Sequence, residues 1–133
     1  MPTATIALVD ADTAFLTELE TLLQKEGYQT HSFADLVGTY DALCINPPDA
    51  AIIGLLFPEN KHGIDLITLL KLRPETRTIP IIMTSLDLPF LTSCTKRVQE
   101  QVIPAVWPLA RPIDQPQLIT LLHESLKVAG TTD

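Results

Sequence analysis

Ile6-Ala7-Leu8-Val9-Asp10-Ala11-Asp12-Thr13 is the stretch on which the reading of this chain turns. Four consecutive apolar residues are too few for a buried helix and suit a strand covered on both faces. The run stops at Asp10, and Asp12 or Thr13 offers an N-cap for whatever follows. Phe15, Leu16, Leu19, Leu22 and Leu23 then recur with helical period, Glu18, Glu20, Gln24 and Lys25 fall between them, and Gly27 ends the helix. A doubly covered strand running straight into an amphipathic helix is the first half of a β-α-β unit.

The same alternation continues outward along the chain. Tyr28 to Phe33 alternates weakly and reads as a second strand, with a helix after it from Leu36 to Ile45, capped by Asp35 and stopped by Asn46-Pro47-Pro48. Ala50 to Ile53 is a third strand, and Gly54 to Gly63, with Pro58 inside, is a loop. Ile64, Leu66, Ile67, Leu69 and Leu70 give an apolar helix to Leu72, and Arg73 to Arg77 is a surface connection. Ile79 to Met83 is the fourth strand. Leu88 to Gln101 follows as a helix with Leu91, Cys94 and Val98 on one face and Lys96, Arg97 and Glu100 on the other. Ala105 to Trp107, leading into Leu109, is the fifth strand, and Gln115 to Val128 the last helix.

Five strand-helix units predict an α/β, flavodoxin-like, doubly wound fold: a five-stranded parallel sheet in order 2-1-3-4-5 with helices on both faces. One domain over residues 1–128 with a short tail at 129–133 is expected. Chemistry in such sheets sits outside the carboxyl ends of the strands. The residues to watch are therefore Asp10 to Asp12, Gly54 to Pro58, Thr84 to Asp87 and Leu109 to Pro112.

Composition narrows the function classes. The 133 residues are 46% hydrophobic and 19% charged, which is incompatible with global disorder. Nine Lys+Arg against sixteen Asp+Glu leave a formal charge of -7, the wrong sign for a nucleic-acid backbone, so no nucleic-acid partner is expected. The N-terminal Met1 to Thr5 lacks a basic segment and no apolar run reaches the ~18 residues of a membrane span, so a cytoplasmic protein without a membrane partner is expected. Cys44 and Cys94 have neither disulfide nor zinc spacing and read as buried small hydrophobes. His31, His62 and His123 are scattered and read as surface residues, and neither a Ser-His-Asp set nor a glycine-rich phosphate loop is present, so no enzymatic activity is expected.

Four stretches at the expected strand ends carry a resemblance. Leu8-Val9-Asp10-Ala11-Asp12, Pro48-Asp49-Ala50-Ala51-Ile52-Ile53-Gly54-Leu55-Leu56-Phe57-Pro58, Ile79-Pro80-Ile81-Ile82-Met83-Thr84-Ser85 and Leu109-Ala110-Arg111-Pro112-Ile113-Asp114 follow one another in order and spacing. In this the chain resembles, from about Thr5 to Leu126, the receiver domain of two-component response regulators, whose CheY-like fold is the one derived above. The family places an acidic pair after strand one, a phosphate-accepting Asp after strand three, a Ser or Thr after strand four and a Lys-Pro, joined by a cis bond, after strand five.

Measured against that pattern the pocket is degenerate. The phosphoacceptor position falls on Gly54, which has no side chain, and the second acid of the pair falls on Ala11, leaving Asp10. Mg²⁺ needs several oxygens in near-octahedral array, so weak or absent Mg²⁺ binding and no other cofactor are expected. Asp12 is expected to cap the first helix rather than to bind a metal. The family's Lys becomes Arg111, whose planar fork of donors matches a carboxylate. Asp10 without a cation would be a buried unpaired charge, so Arg111 is expected to pair with it. Ser85 takes the hydroxyl position and is expected to cap the following turn, and a cis bond is expected between Arg111 and Pro112.

The resemblance implies a stand-alone, atypical receiver working as a phosphorylation-independent protein-interaction module. Its partner would be a signalling protein, whether a histidine kinase, an output protein or another regulator, with a homodimer as a further option. The family's partner surface over helix four, strand five and helix five would here include Lys96, Arg97, Gln101 and Trp107; the family's aromatic position itself falls on Pro108. Two alternatives stand beside this reading: phosphorylation at a substitute carboxylate, Glu59 or Asp87, and a small ligand bound in the pocket that Gly54 empties.

Overall fold

The structure, a computed structural model, describes residues 3–128, and the expected tail at 129–133 lies outside the described residues. Its elements run β1 (Thr5–Val9), α1 (Thr13–Lys25), β2 (Gln29–Phe33), α2 (Thr39–Ile45), β3 (Ala50–Gly54), β4 (Leu56–Phe57), a 3₁₀ turn (Pro58–Asn60), β5 (Lys61–His62), α3 (Gly63–Lys71), β6 (Ile81–Ser85), α4 (Leu88–Glu100), β7 (Val106–Ala110) and α5 (Gln115–Val128). The main sheet is parallel in the order β2-β1-β3-β6-β7. That is the expected 2-1-3-4-5 once the two-residue strands β4 and β5 are set aside.

Alternation along each central strand divides the core into two layers. Ile6 and Leu8 of β1, with Ile52 and Ile82, pack against Leu16, Leu19 and Leu23 of α1 and Leu118, Leu122 and Leu126 of α5. Ala7, Val9, Ile53 and Met83 face the other way, onto Leu43 of α2, Ile64, Ile67 and Leu70 of α3, and Leu91, Cys94 and Val98 of α4. Every residue of β3 and β6 is buried, as central parallel strands require.

Four stretches differ from the sequence reading by more than one residue. The second helix begins at Thr39 rather than Leu36, because Gly38 takes a left-handed φ of 76° and the Thr39 hydroxyl donates to the Asp35 carbonyl at 2.7 Å. The Gly54–Gly63 stretch is no open loop: β4 and β5 pair antiparallel, Leu56 with His62 and Phe57 with Lys61. The fourth strand is shifted to Ile81–Ser85, since Pro80 can only accept, here from the Ala51 N–H at 3.0 Å, while Thr84 and Ser85 are buried. The fifth strand runs Val106–Ala110 through Pro108, which an edge strand tolerates, and Ala105 before it sits at φ 58°. Two side chains depart as well: Cys44 is only half-buried, and His62 is half-buried against the Phe90 ring, centroids 5.0 Å apart.

Candidate functional site

The carboxyl ends of β1, β3, β6 and β7 meet at one point. In register, Gly54 pairs with Thr84, Thr84 with Leu109 and Ser85 with Ala110, so Asp10, Gly54, Thr84 and Arg111 stand side by side at the end of the sheet. Asp10 is 5% exposed. Its Oδ1 accepts the Asp12 backbone N–H at 2.8 Å, and its Oδ2 accepts Nη2 of Arg111. Both carboxylate oxygens are thus engaged, which is the condition under which a buried charge is tolerated.

Arg111 is held from four sides. Besides the Asp10 contact, its Nε donates to Thr84 Oγ1 at 3.1 Å and its backbone N–H to the Ser85 carbonyl at 3.1 Å. The guanidinium carbon lies 3.8 Å from the centroid of the Phe15 ring, a cation–π stack from α1. The pairing expected from the sequence is present, and the Arg111-Pro112 bond is cis. Thr84 stands among the residues to watch but with no role assigned, and Phe15 was not anticipated at the site. Thr84 reads as a strand-end residue beside Ser85, and Phe15 as one apolar position of α1; the signal that connects them is the Lys-to-Arg change, because only a guanidinium has donors and a flat face enough for all three neighbours.

Gly54 is where this pair finds room. A Cβ placed on Gly54 would overlap Oδ2 of Asp10, and would lie 3.0 Å from Cγ of Asp10 and 3.1 Å from Nη2 of Arg111. The space that a side chain at the end of β3 would occupy is therefore filled by the ion pair. A small ligand has no emptied pocket there. A cavity of about 260 Å³ lies instead over Arg111, between α1 and the connection into α5, lined by Phe15, Leu19, Leu22, Leu86 and Ile113 among others.

The remaining site candidates have local work. Ala11 packs as a partly buried residue against the α2-α3-α4 layer. Oδ1 of Asp12 caps α1, accepting the N–H groups of Ala14 at 3.0 Å and Phe15 at 3.2 Å. Ser85 Oγ accepts the Asp87 N–H at 3.0 Å, and Asp87 Oδ1 caps α4 through the Phe90 N–H at 3.0 Å. Glu59 stands at φ 63° in the turn between β4 and β5, largely exposed and 3.9 Å from Lys61 Nζ. Among the described residues no group of three or more His, Cys, Asp or Glu is placed to hold a metal ion, and no helix is long and apolar enough to cross a membrane.

The residues expected on a partner surface are only partly brought together. Lys96 borders an open groove of about 700 Å³ between α4 and β7, with Leu88, Leu91, Pro108 and Ala110. Trp107, half-buried, borders a second groove of about 520 Å³ between β7 and α5, with Pro108, Pro116 and Glu124. Arg97 is exposed but outside the lining of both grooves; with Asp65 of α3 it acts on the Cys94 thiol, which burial pushes up. Gln101 ends α4, its N–H donating to the Arg97 carbonyl at 3.0 Å.

Comparison with known proteins agrees with the fold. The signal receiver domain of a signal transduction histidine kinase from Syntrophus aciditrophicus is 26% identical, with a TM-score of 0.80 over 98% of this chain and 96% of that one. A Chloroflexus aurantiacus protein described as a response regulator is 25% identical, with a TM-score of 0.81 over 95% and 99% of the two chains. The chemotaxis protein CheY4 of Vibrio cholerae, at 19% identity and a TM-score of 0.78 over 93% and 99%, shares the fold. Residues 6–123 match the response regulator receiver domain, and the chain belongs to that family.

Proposed function

We propose that this receiver domain of two-component signalling works without aspartyl phosphate, as a protein-interaction module whose pocket is closed by its own ion pair. The observation that carries the reading is the overlap at Gly54: Asp10 and Arg111 stand where a phosphoacceptor side chain would begin. Arg111 supplies internally the positive charge that a metal ion and a lysine supply elsewhere in the family. The residues do not fit Mg²⁺, because Asp10 has both oxygens engaged and Ala11 brings no oxygen from its side chain. The substitute carboxylates gain no support, Asp87 being an N-cap and Glu59 an exposed residue of the β4-β5 turn.

With no phosphorylation step, the state of the domain is set by what it binds. The face around edge strand β7, with its two open grooves and Trp107, suits contact with another signalling protein or a second copy of the chain. Incubation with acetyl phosphate and Mg²⁺ followed by intact-mass measurement tests the reading. The unmodified mass is expected; addition of one phosphate would overturn it.

A further inference from the structure

The sheet has two edges, and only one is guarded. β7 carries Pro108 at its centre, which cannot donate to an incoming strand. β2, Gln29-Thr30-His31-Ser32-Phe33, has neither proline nor Lys, Arg, Asp or Glu, and Gln29, His31 and Ser32 are exposed. Gln29 donates its N–H to the Ala4 carbonyl and Phe33 gives its carbonyl to the Asp10 N–H, both toward the β1 side and both at 3.0 Å. Backbone direction alternates along a strand, so the N–H and C=O of Thr30 and Ser32 face outward, where no strand of the described residues pairs with them.

A cleft runs beside this edge. About 360 Å³ is open over the same face of the sheet, lined by Ala7, Gln29, His31 and Phe33 of the strands and by Leu43 of α2 and Asp49 after it. Neither Lys nor Arg lines it. Glu26 and Asp35 flank β2 in sequence, and the chain as a whole carries a formal charge of -7.

We infer that the outer edge of β2 is a docking site for an extended, basic segment of a partner protein, which adds as a further strand and directs alternate side chains into the cleft under α2. Strand addition takes its affinity from main-chain hydrogen bonds and its selectivity from side-chain pockets, and both parts are present here. Charge decides the occupant. A basic segment meets Glu26, Asp35 and Asp49, whereas a second copy paired antiparallel about His31 would bring Glu26 of each chain next to Asp35 of the other, and only the register centred on Thr30 would set Lys25 opposite Asp35. This inference is independent of the closed pocket, since it uses neither Asp10 nor Arg111.

The test is amide hydrogen exchange followed by NMR on the intact chain, with a capped six-residue peptide of alternating Lys and Val as probe and the corresponding Glu-Val peptide as control. The basic peptide is expected to slow exchange at Thr30 and Ser32 and the acidic one to leave it unchanged. Ser32→Pro deletes an outward donor that the fold itself does not use, so it is expected to weaken binding about tenfold, as loss of roughly one hydrogen bond implies, with the melting temperature showing that the domain still folds. Asp35→Lys, which leaves the edge backbone intact, is expected to weaken binding in the same direction. Protection confined to other strands, equal binding of the acidic peptide, or concentration-dependent protection of Thr30 and Ser32 without any peptide would overturn the inference, the last by assigning the edge to a second copy.

Discussion

Gly54→Ala adds a single methyl group at the most crowded point of the site. In an extended strand the substitution would ordinarily stabilise by about 0.5–1 kcal/mol, through the smaller entropy of the unfolded chain. Here the new carbon overlaps Oδ2 of Asp10 and reaches 3.1 Å from Nη2 of Arg111, so the carboxylate must rotate away and lose one of its two partners. Overpacking of this kind costs roughly 1–3 kcal/mol, and full separation of a buried pair about 3–5 kcal/mol. A net loss of about 2 kcal/mol is expected. With m of roughly 1–3 kcal/mol/M, the urea midpoint should fall by about 1 M while m stays constant. The same substitution made in an Asp10→Ala, Arg111→Met background should cost less than about 0.5 kcal/mol, giving a coupling energy of about 1.5 kcal/mol or more, within the roughly 0.5–3 kcal/mol seen for residues in contact. A Gly54→Ala protein as stable as the parent, or a cost that persists without the pair, would refute the claim that the pair fills the space beside Gly54.

Further expectations concern the pair and its surroundings. Arg111→Met alone leaves Asp10 buried and unpaired and should lower stability by about 3–5 kcal/mol by denaturant titration, whereas Asp10→Asn with Arg111→Met should recover most of it. Val102, β-branched and 84% exposed, sits at φ 53° just beyond α4, so Val102→Gly should raise stability by about 1 kcal/mol, seen as a higher melting temperature. Lys71 donates to the carbonyls of Arg77 at 2.9 Å and Ile79 at 2.7 Å, and burial lowers its pKa to about 8. Between pH about 8 and 10.4 the folded chain then binds fewer protons than the unfolded one, so stability should rise with pH across that window and Lys71→Met should abolish the rise.

What the sequence disclosed follows from how local each signal is. Ile6 to Val9, Ala50 to Ile53 and the 3.6-residue period of α1 and α4 are written in neighbouring residues, so the elements and their layers could be read before any coordinate, while the strand order came with the fold type they imply. Boundaries set by one backbone angle or one missing donor were misplaced, as at Gly38, Pro80 and Pro108. At the site the Asp10–Arg111 pair was legible because a buried carboxylate needs a cation and only one candidate stood at a neighbouring strand end. The parts played by Thr84 and Phe15 were not, since a hydroxyl at a strand end and a ring on a helix take on meaning only when packing brings the guanidinium between them. The steric side of Gly54 was hidden for the same reason: its sequence shows a missing nucleophile, while the structure shows an occupied space.

The closed pocket is tested most directly by NMR of the ¹⁵N-labelled domain titrated with Mg²⁺ and then with beryllofluoride, a stable mimic of the phosphoryl group, in the parent and in Gly54→Asp. The account predicts that the amides of Asp10, Gly54, Thr84 and Arg111 stay in place in the parent, and that Gly54→Asp fails to gain the response, since it still lacks an oxygen at Ala11 and keeps in the site the Arg111 guanidinium, bonded to Thr84 and stacked on Phe15. Saturable shifts at those four amides in the parent chain would show an open, ligand-competent pocket and contradict it.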